Sequence, residues 1–262
     1  MCRRSPWPPS AVMSPFTTAM LTRATVWLGR RRTAARPSSG QTQRVDPSAA
    51  SSPWPAGFFD RQDPTGDADF YTAPRFVTHI DNRAIQAVTE LYDELGVPQG
   101  RMLDLMSSWV SHVSRHPDGG LVALGMNAAE LDANPFADER LLQDLNRDPR
   151  LPFDDASFDA VTCCVSIDYL IAPVDVLREA NRVLRPGGLV VITFSNRCFP
   201  TKAIRGWLTT DDAGHAGIVR AYLEQAGGFG PVTAQRRTPA RHRGDPLYGV
   251  WAARLAHDEL AQ

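Results

Sequence analysis

Leu151-Pro152-Phe153-Asp154-Asp155 leads into Ser157-Phe158-Asp159-Ala160-Val161. Further on, Arg182-Val183-Leu184-Arg185-Pro186-Gly187-Gly188 runs into Leu189-Val190-Val191-Ile192-Thr193-Phe194. An acidic turn thus feeds an apolar run, Ala160–Val165. Val176, Leu177, Ala180, Val183 and Leu184 then recur at helical spacing, Pro-Gly-Gly closes that helix, and a second apolar run follows. This is a strand–helix–strand unit. Its strands are apolar nearly throughout, as in a parallel sheet buried on both faces. Such sheets bind ligands outside the carboxyl ends of their strands, so candidate site residues are sought there.

Working outward, Ile85, Val88, Leu91, Tyr92 and Leu95 share one face of a predicted helix, Asp81–Leu95, that stops at Gly96. Strands are expected at Arg101–Leu105, Leu121–Gly125, Leu141–Leu145, Val161–Val165 and Leu189–Phe194. Helices follow near Thr201–Leu208 and Gly217–Gln225. Val232–Arg236 and Leu247–Ala252 form a terminal hairpin. The fold class is α/β.

"LPFDDASFDAV" followed by "REANRVLRPGGLVVITF" resembles the second half of the class I S-adenosylmethionine-dependent methyltransferases of the type 11 group. Several short motifs occur in order and at matching spacing, which makes the resemblance specific. It spans about residues 58–255 and is strongest over residues 143–196. Met106-Ser107-Ser108-Trp109-Val110-Ser111-His112 and Ser195-Asn196-Arg197-Cys198-Phe199 are similar to a branch of that superfamily from which no substrate follows. The resemblance implies a Rossmann-like seven-stranded sheet, mostly parallel with an antiparallel terminal hairpin and helices on both faces. It also implies S-adenosyl-L-methionine as cofactor and a small-molecule methyl acceptor.

Carried over position by position, it assigns Asp104 to the end of the first strand. The family follows that acid with a glycine-rich turn. Here the turn is Met106, Ser107, Ser108, Trp109, Val110, without a glycine. The serines are expected either to donate to the cofactor carboxylate or only to cap the next helix. The second strand usually ends in an acid for the ribose; here Gly125 holds that place, followed by Met126 and Asn127, the latter either a neutral acceptor or a helix cap. Asp144, beside Leu145, is placed to accept from the adenine amino group, and Asn146 to cap that turn. Val165 ends the fourth strand beside the methyl donor, where Ile167 and Tyr169 could pack. Asp168 is read as orienting a substrate or capping a helix. Arg197 is read as fixing an anionic substrate or pairing with Asp168. No general base is evident; His112, Asp168 and Arg197 are the catalytic candidates, and His79 lies in a segment that tends to cover the cofactor. A glycine-free turn and a missing ribose acid also fit a second reading, an inactive methyltransferase-fold binding or regulatory protein.

The chain of 262 residues accommodates one such domain, 55–262, preceded by a tail, 1–54. Residues 1–50 hold eight Arg and one acid, Asp46, leaving 20 basic against 28 acidic residues from residue 51 on, a net charge of −8. An acidic domain is a poor match for nucleic acid, whose binding rests on neutralising phosphates. The tail reads as disordered, as the product of an upstream start (Met13 and Met20 are alternatives), or as an organellar transit-like segment. Its apolar stretch, broken by Pro15 and Arg23, is too short for a membrane span, and a cytoplasmic location is expected. Cys2, Cys163, Cys164 and Cys198 have neither metal-ligand nor disulfide spacing. A nicotinamide-binding G-x-G-x-x-G and a hydrolase G-x-S-x-G are both missing. Oligomeric state is not legible.

Overall fold

The computed structural model describes residues 53–256. In chain order these form α1 (Asp67–Phe70), α2 (Asn82–Glu94), β1 (Met102–Leu105), β2 (Leu121–Gly125), α3 (Ala128–Asp132), β3 (Glu139–Leu142) and β4 (Phe158–Cys164). Then follow α4 (Pro173–Val183), β5 (Leu184–Phe194), α5 (Arg205–Leu208), α6 (Asp212–Ala226), β6 (Thr233–Arg236) and β7 (Tyr248–Ala253). The seven strands make one sheet of order β3-β2-β1-β4-β5-β7-β6. The pairings from β3 to β5 are parallel, and β7 runs antiparallel to both β5 and β6. Strand order reverses between β1 and β4. A doubly wound sheet opens a crevice at such a switch point.

Alternation along the strands divides the core into two layers. Leu103, Leu105, Val122, Leu124, Val161, Cys163, Val190 and Ile192 pack with α4 and α6. Met102, Leu121, Ala123, Ala160 and Val191 pack on the other face with α2 and Leu131 of α3. Period-2 alternation with helices on both sides explains why nearly every strand position is apolar. Cys163 and Cys164 fall on opposite faces, as adjacent strand residues must. On α2 the buried residues Ala84, Ala87, Val88, Leu91 and Tyr92 follow helical periodicity. Asp81 caps its start by accepting from Ala84 N at 2.8 Å, and Gly96 takes φ 71 just past its end. Pro173 opens α4, where its missing N–H costs no helical bond.

Several expected boundaries move. The Pro186-Gly187-Gly188 turn does not close α4, which ends at Val183; it belongs to β5. Pairing jumps from Phe158↔Leu184 to Ala160↔Leu189, so Arg185–Gly188 bulge out opposite the single residue Asp159, with Gly187 at φ 79. β3 starts and ends earlier than Leu141–Leu145, because it is an edge strand whose register is set by Val122↔Glu139 and not by its own apolar residues. β4 starts earlier, at Phe158. α6 also starts earlier, at an Asp211 cap, and α5 is a single turn. The region 1–52, which carries the tail reading, lies outside the described residues. Trp54, the last residue of the expected tail, packs on the domain. Its ring contacts Phe58, Phe59 and Tyr222, and its Nε1 donates to Gln225.

Candidate functional site

A cleft of about 1160 Å³, counting its open mouth, crosses the carboxyl ends of β1, β2, β3 and β4. Asp104, Met106, Ser107, Ser108, Gly125, Met126, Asn127, Asp144, Leu145 and Val165 all line it, and so does His112. Two candidates do not. Arg197 points away, its Nε on Asp245 Oδ1 at 2.7 Å and not on Asp168. Asp168 sits in a one-turn 3-10 helix, 167–169, beneath the cleft floor, and α4 is capped by Ala172, so Asp168 caps no helix. Ile167 is likewise buried in the core, whereas Tyr169 does line the cleft.

At the end of β1, Asp104 is buried and accepts from Thr162 Oγ1 and Ser107 Oγ, both at 2.7 Å. Burial still pushes its carboxyl above the usual carboxylate range. Ser108 Oγ donates to Glu130 Oε2 at 2.5 Å, and Glu130 Oε1 accepts the Arg75 N–H at 2.6 Å. Both serine hydroxyls are therefore turned to protein acids. Neither caps a helix, because residues 106–120 contain none. That loop is held by side chains instead: Asn134 Nδ2 donates to Ser108 O and Ser111 Oγ, and Thr89 Oγ1 to His112 O. Met106 (φ 54) and His112 (φ 52) adopt left-handed backbone, which glycine takes freely and other residues take at a cost.

Gly125 explains one departure from the family pattern, the missing acid at the end of β2. A Cβ there would overlap the carbonyl oxygen of Ser107, whose N–H donates to Leu124 O at 2.7 Å. The loop leaving β1 lies directly on the end of β2, so no acid fits that position. Asn127 is the N-cap of α3, accepting from Glu130 N at 3.1 Å, and its Nδ2 donates to the carbonyls of Tyr71 and Thr72.

Beyond β3, Asp144 Oδ1 accepts from Asn146 N at 2.9 Å in a tight turn, and Oδ2 has no hydrogen-bond partner among the described residues. Asn146 reaches further than that turn. Its amide donates to Asp67 Oδ2 and Tyr169 O and accepts from Ile171 N. After β4, Val165 takes φ 45, an unusual value for a β-branched residue. Of the four non-glycine residues with positive φ among the described residues, Met106, His112 and Val165 line this cleft and Ala156 does not. Strain gathered at one site is characteristic of a place where geometry serves a ligand. His112 is pushed down to about 4 by burial and is neutral near pH 7. Asp168, with Oδ2 lacking a partner, is pushed up to about 8 by burial.

The roof is a strap, residues 55–79, which composition alone does not reveal. Lys202, fully buried, places Nζ 2.9 Å from Asp63 Oδ2, 3.2 Å from Asp67 Oδ1 and 2.9 Å from Thr65 O. Arg61 adds hydrogen bonds of 2.8 and 2.9 Å to Asp67. The Thr65 hydroxyl and Lys202 hold Asp63 at about 2. Each charge thus has partners, as burial requires. The strap then carries Tyr71, Arg75 and His79 over the cleft.

Residues 94–192 match a family model described as a methyltransferase domain. A malonyl-[acyl-carrier protein] O-methyltransferase of Marinomonas sp. is 32% identical over 66 residues, 25% of this chain and 24% of that protein. A demethylmenaquinone methyltransferase of Mycobacterium sp. (strain KMS) is 52% identical over 56 residues, 20% of this chain and 24% of that protein. The chain thus spans about a quarter of the length of these curated relatives. Among solved structures, an S-adenosylmethionine-dependent methyltransferase of Thermotoga maritima aligns at TM-score 0.48 and 14% identity, over 65% of this chain and 90% of that one. Phosphoethanolamine N-methyltransferase 2 of Haemonchus contortus aligns at 0.47 and 13%, over 65% and 52%. The stretch matched to the methyltransferase domain model, residues 94–192, runs from the end of α2 into β5 and so includes the strands that build the cleft floor.

Proposed function

We propose that the cleft binds S-adenosylmethionine and that the chain methylates a small molecule. One observation carries the reading: ten positions assigned to the cofactor from sequence, scattered over some sixty residues, line a single cleft at the strand switch point. When bound, the cofactor supplies a methyl group activated by its sulfonium. The Asp144 Oδ2 without a hydrogen-bond partner among the described residues accepts from the adenine amino group, Leu145 walls the ring, and the strained turn from Met106 faces the amino-acid end. His112 is too weakly basic to act as an efficient proton acceptor, so the site works by aligning donor and acceptor. The net charge of −8 from residue 51 on favours a small acceptor over nucleic acid. No helix among the described residues is long and apolar enough to cross a membrane, and we assign the protein to the cytoplasm.

The commitment of Ser107 and Ser108 to Asp104 and Glu130 favours a second reading, a binding protein that retains the cleft without turnover. Calorimetric titration with S-adenosylhomocysteine tests the cofactor site. Wild type should bind it in the micromolar range, and Asp144→Ala should bind 10- to 100-fold more weakly while remaining folded. A folded wild type giving no saturable heat at millimolar ligand removes the proposal. Binding without methyl transfer to any acceptor leaves the second reading.

A further inference from the structure

Among the described residues, Arg75 is the only Lys or Arg lining the cleft, and it forms no ion pair. Its guanidinium lies 4.4 Å over the Phe70 ring and 5.6 Å from the rings of Tyr71 and Phe199, and one Nη donates to Phe70 O at 2.7 Å. Its backbone N–H is fixed on Glu130. The fork is therefore held by stacking and by hydrogen bonds from Nη2 to Phe70 O and, at 3.5 Å, from Nη1 to Ala73 O, while Nε has no hydrogen-bond partner among the described residues. Of the four acids lining the cleft, Asp67 is engaged by Arg61 and Lys202, Asp104 by Ser107 and Thr162, and Glu130 by Ser108; Asp144, beyond β3, is the one already assigned to the adenine. A preorganised guanidinium without a counter-ion, half-buried between aromatic faces, is an anion receptor short of its anion.

Its position says which anion. Phe199 leaves the end of β5 and Tyr169 the end of β4. Their rings lie 5.9 Å apart, and Phe70 stands edge-on to Phe199 at 5.3 Å. The guanidinium thus lies beside Phe199, which follows β5, while the Arg75 backbone shares Glu130 with Ser108 of the turn after β1. Glu130 already places negative charge beside that turn. We infer that the methyl acceptor is an aromatic or flat apolar molecule carrying a carboxylate or phosphate, which Arg75, backed by Phe70, pairs with while Tyr71 and Phe199 stack around it. This deepens the methyltransferase reading and uses an arginine that sequence reasoning did not single out, in the role it gave to Arg197.

The probes are matched twins: salicylate against salicylamide, and phenyl phosphate against phenol. Each is titrated into protein saturated with S-adenosylhomocysteine, in wild type, Arg75→Lys and Arg75→Gln. In wild type the anionic twin should bind at least about tenfold tighter. That preference should shrink in Arg75→Lys and vanish in Arg75→Gln. Equal affinities within each pair, a preference that survives in Arg75→Gln, or no saturable binding of either anion up to 10 mM (about the affinity floor for a specific ion pair) would overturn the inference. Weaker S-adenosylhomocysteine binding in Arg75→Gln, with 5′-methylthioadenosine unaffected, would assign the guanidinium to the cofactor's own carboxylate and overturn it as well. If wild type fails to bind S-adenosylhomocysteine, the cofactor reading falls separately, and the same twin pairs on ligand-free protein still decide the role of Arg75.

Discussion

The two sides of the cleft are shaped by different physics. On the β1–β2 side the work is done by backbone. Gly125 lets the Ser107 carbonyl lie on the strand end, and Met106 and His112 turn the chain at positive φ without glycine. On the β4–β5 side it is done by buried side chains: Lys202 among Asp63, Asp67 and Thr65, and Asp168 with an orphaned oxygen below. Backbone fit is steric and indifferent to pH. Buried charge is costly to disturb and responds to protons. The comparison predicts large or pH-dependent effects from the buried charges, Asp104 at the end of β1 among them, and small, pH-independent ones from the backbone contacts.

The largest is expected at Lys202. Lys202→Met leaves Asp63 and Asp67 short of their central partner, and urea unfolding should show a loss of about 3–5 kcal/mol. A loss near zero would mean that Arg61 alone suffices and would break the contrast.

Asp168 comes next. Its folded pKa of about 8 lies above the ordinary 3.8. Below pH 3.8 both states keep the proton. Between there and pH 8 the unfolded chain releases it and the folded one does not, so stability falls as pH rises, and above pH 8 that loss is complete. The cost at pH 7 is at most about 4 kcal/mol. Asp168→Asn should flatten this slope between pH 4 and 8 and raise the melting temperature at pH 8 more than at pH 5. Parallel shifts at the two pH values would contradict it.

On the backbone side, Gly125→Ala should cost about 1–3 kcal/mol equally at pH 5 and pH 8, because the overlapping atom is backbone. Gly125→Asp should be worse, although it restores the acid usual at that position. Recovery of S-adenosylhomocysteine affinity by Gly125→Asp would show that the β1 loop moves more freely than its contacts suggest. The smallest effect belongs to Met106→Gly. Relief of left-handed strain and the added entropy of the unfolded chain oppose each other, leaving a gain of roughly 1 kcal/mol or less in thermal melts.

The same division governs what the sequence discloses. β2 lies where its apolar run ends it, and α2 lies within one residue of its expected limits, since both are local patterns. The positions that line the cleft were legible because each lies at or near the end of such a strand. What stayed hidden is built from partners far apart in the chain. Nothing near Lys202 hints that it meets Asp63 and Asp67, some 140 residues away. Ser107 and Ser108 look like caps until Asp104 and Glu130 are seen to hold them and the helix they would cap proves absent. Arg197 and Arg75 are interchangeable as letters. Only the fold shows that one is neutralised by Asp245 and the other is not.

Lys202 is also the only lysine among the 28 basic residues of the chain. Its amine, sealed beneath the strap, is therefore a single built-in reporter. An amine-selective acylating reagent finds the N-terminal amine and, in the native fold, nothing else. Each time residues 63–67 lift away, one further mass increment becomes possible, and its rate counts the openings of the roof without any label having been engineered in.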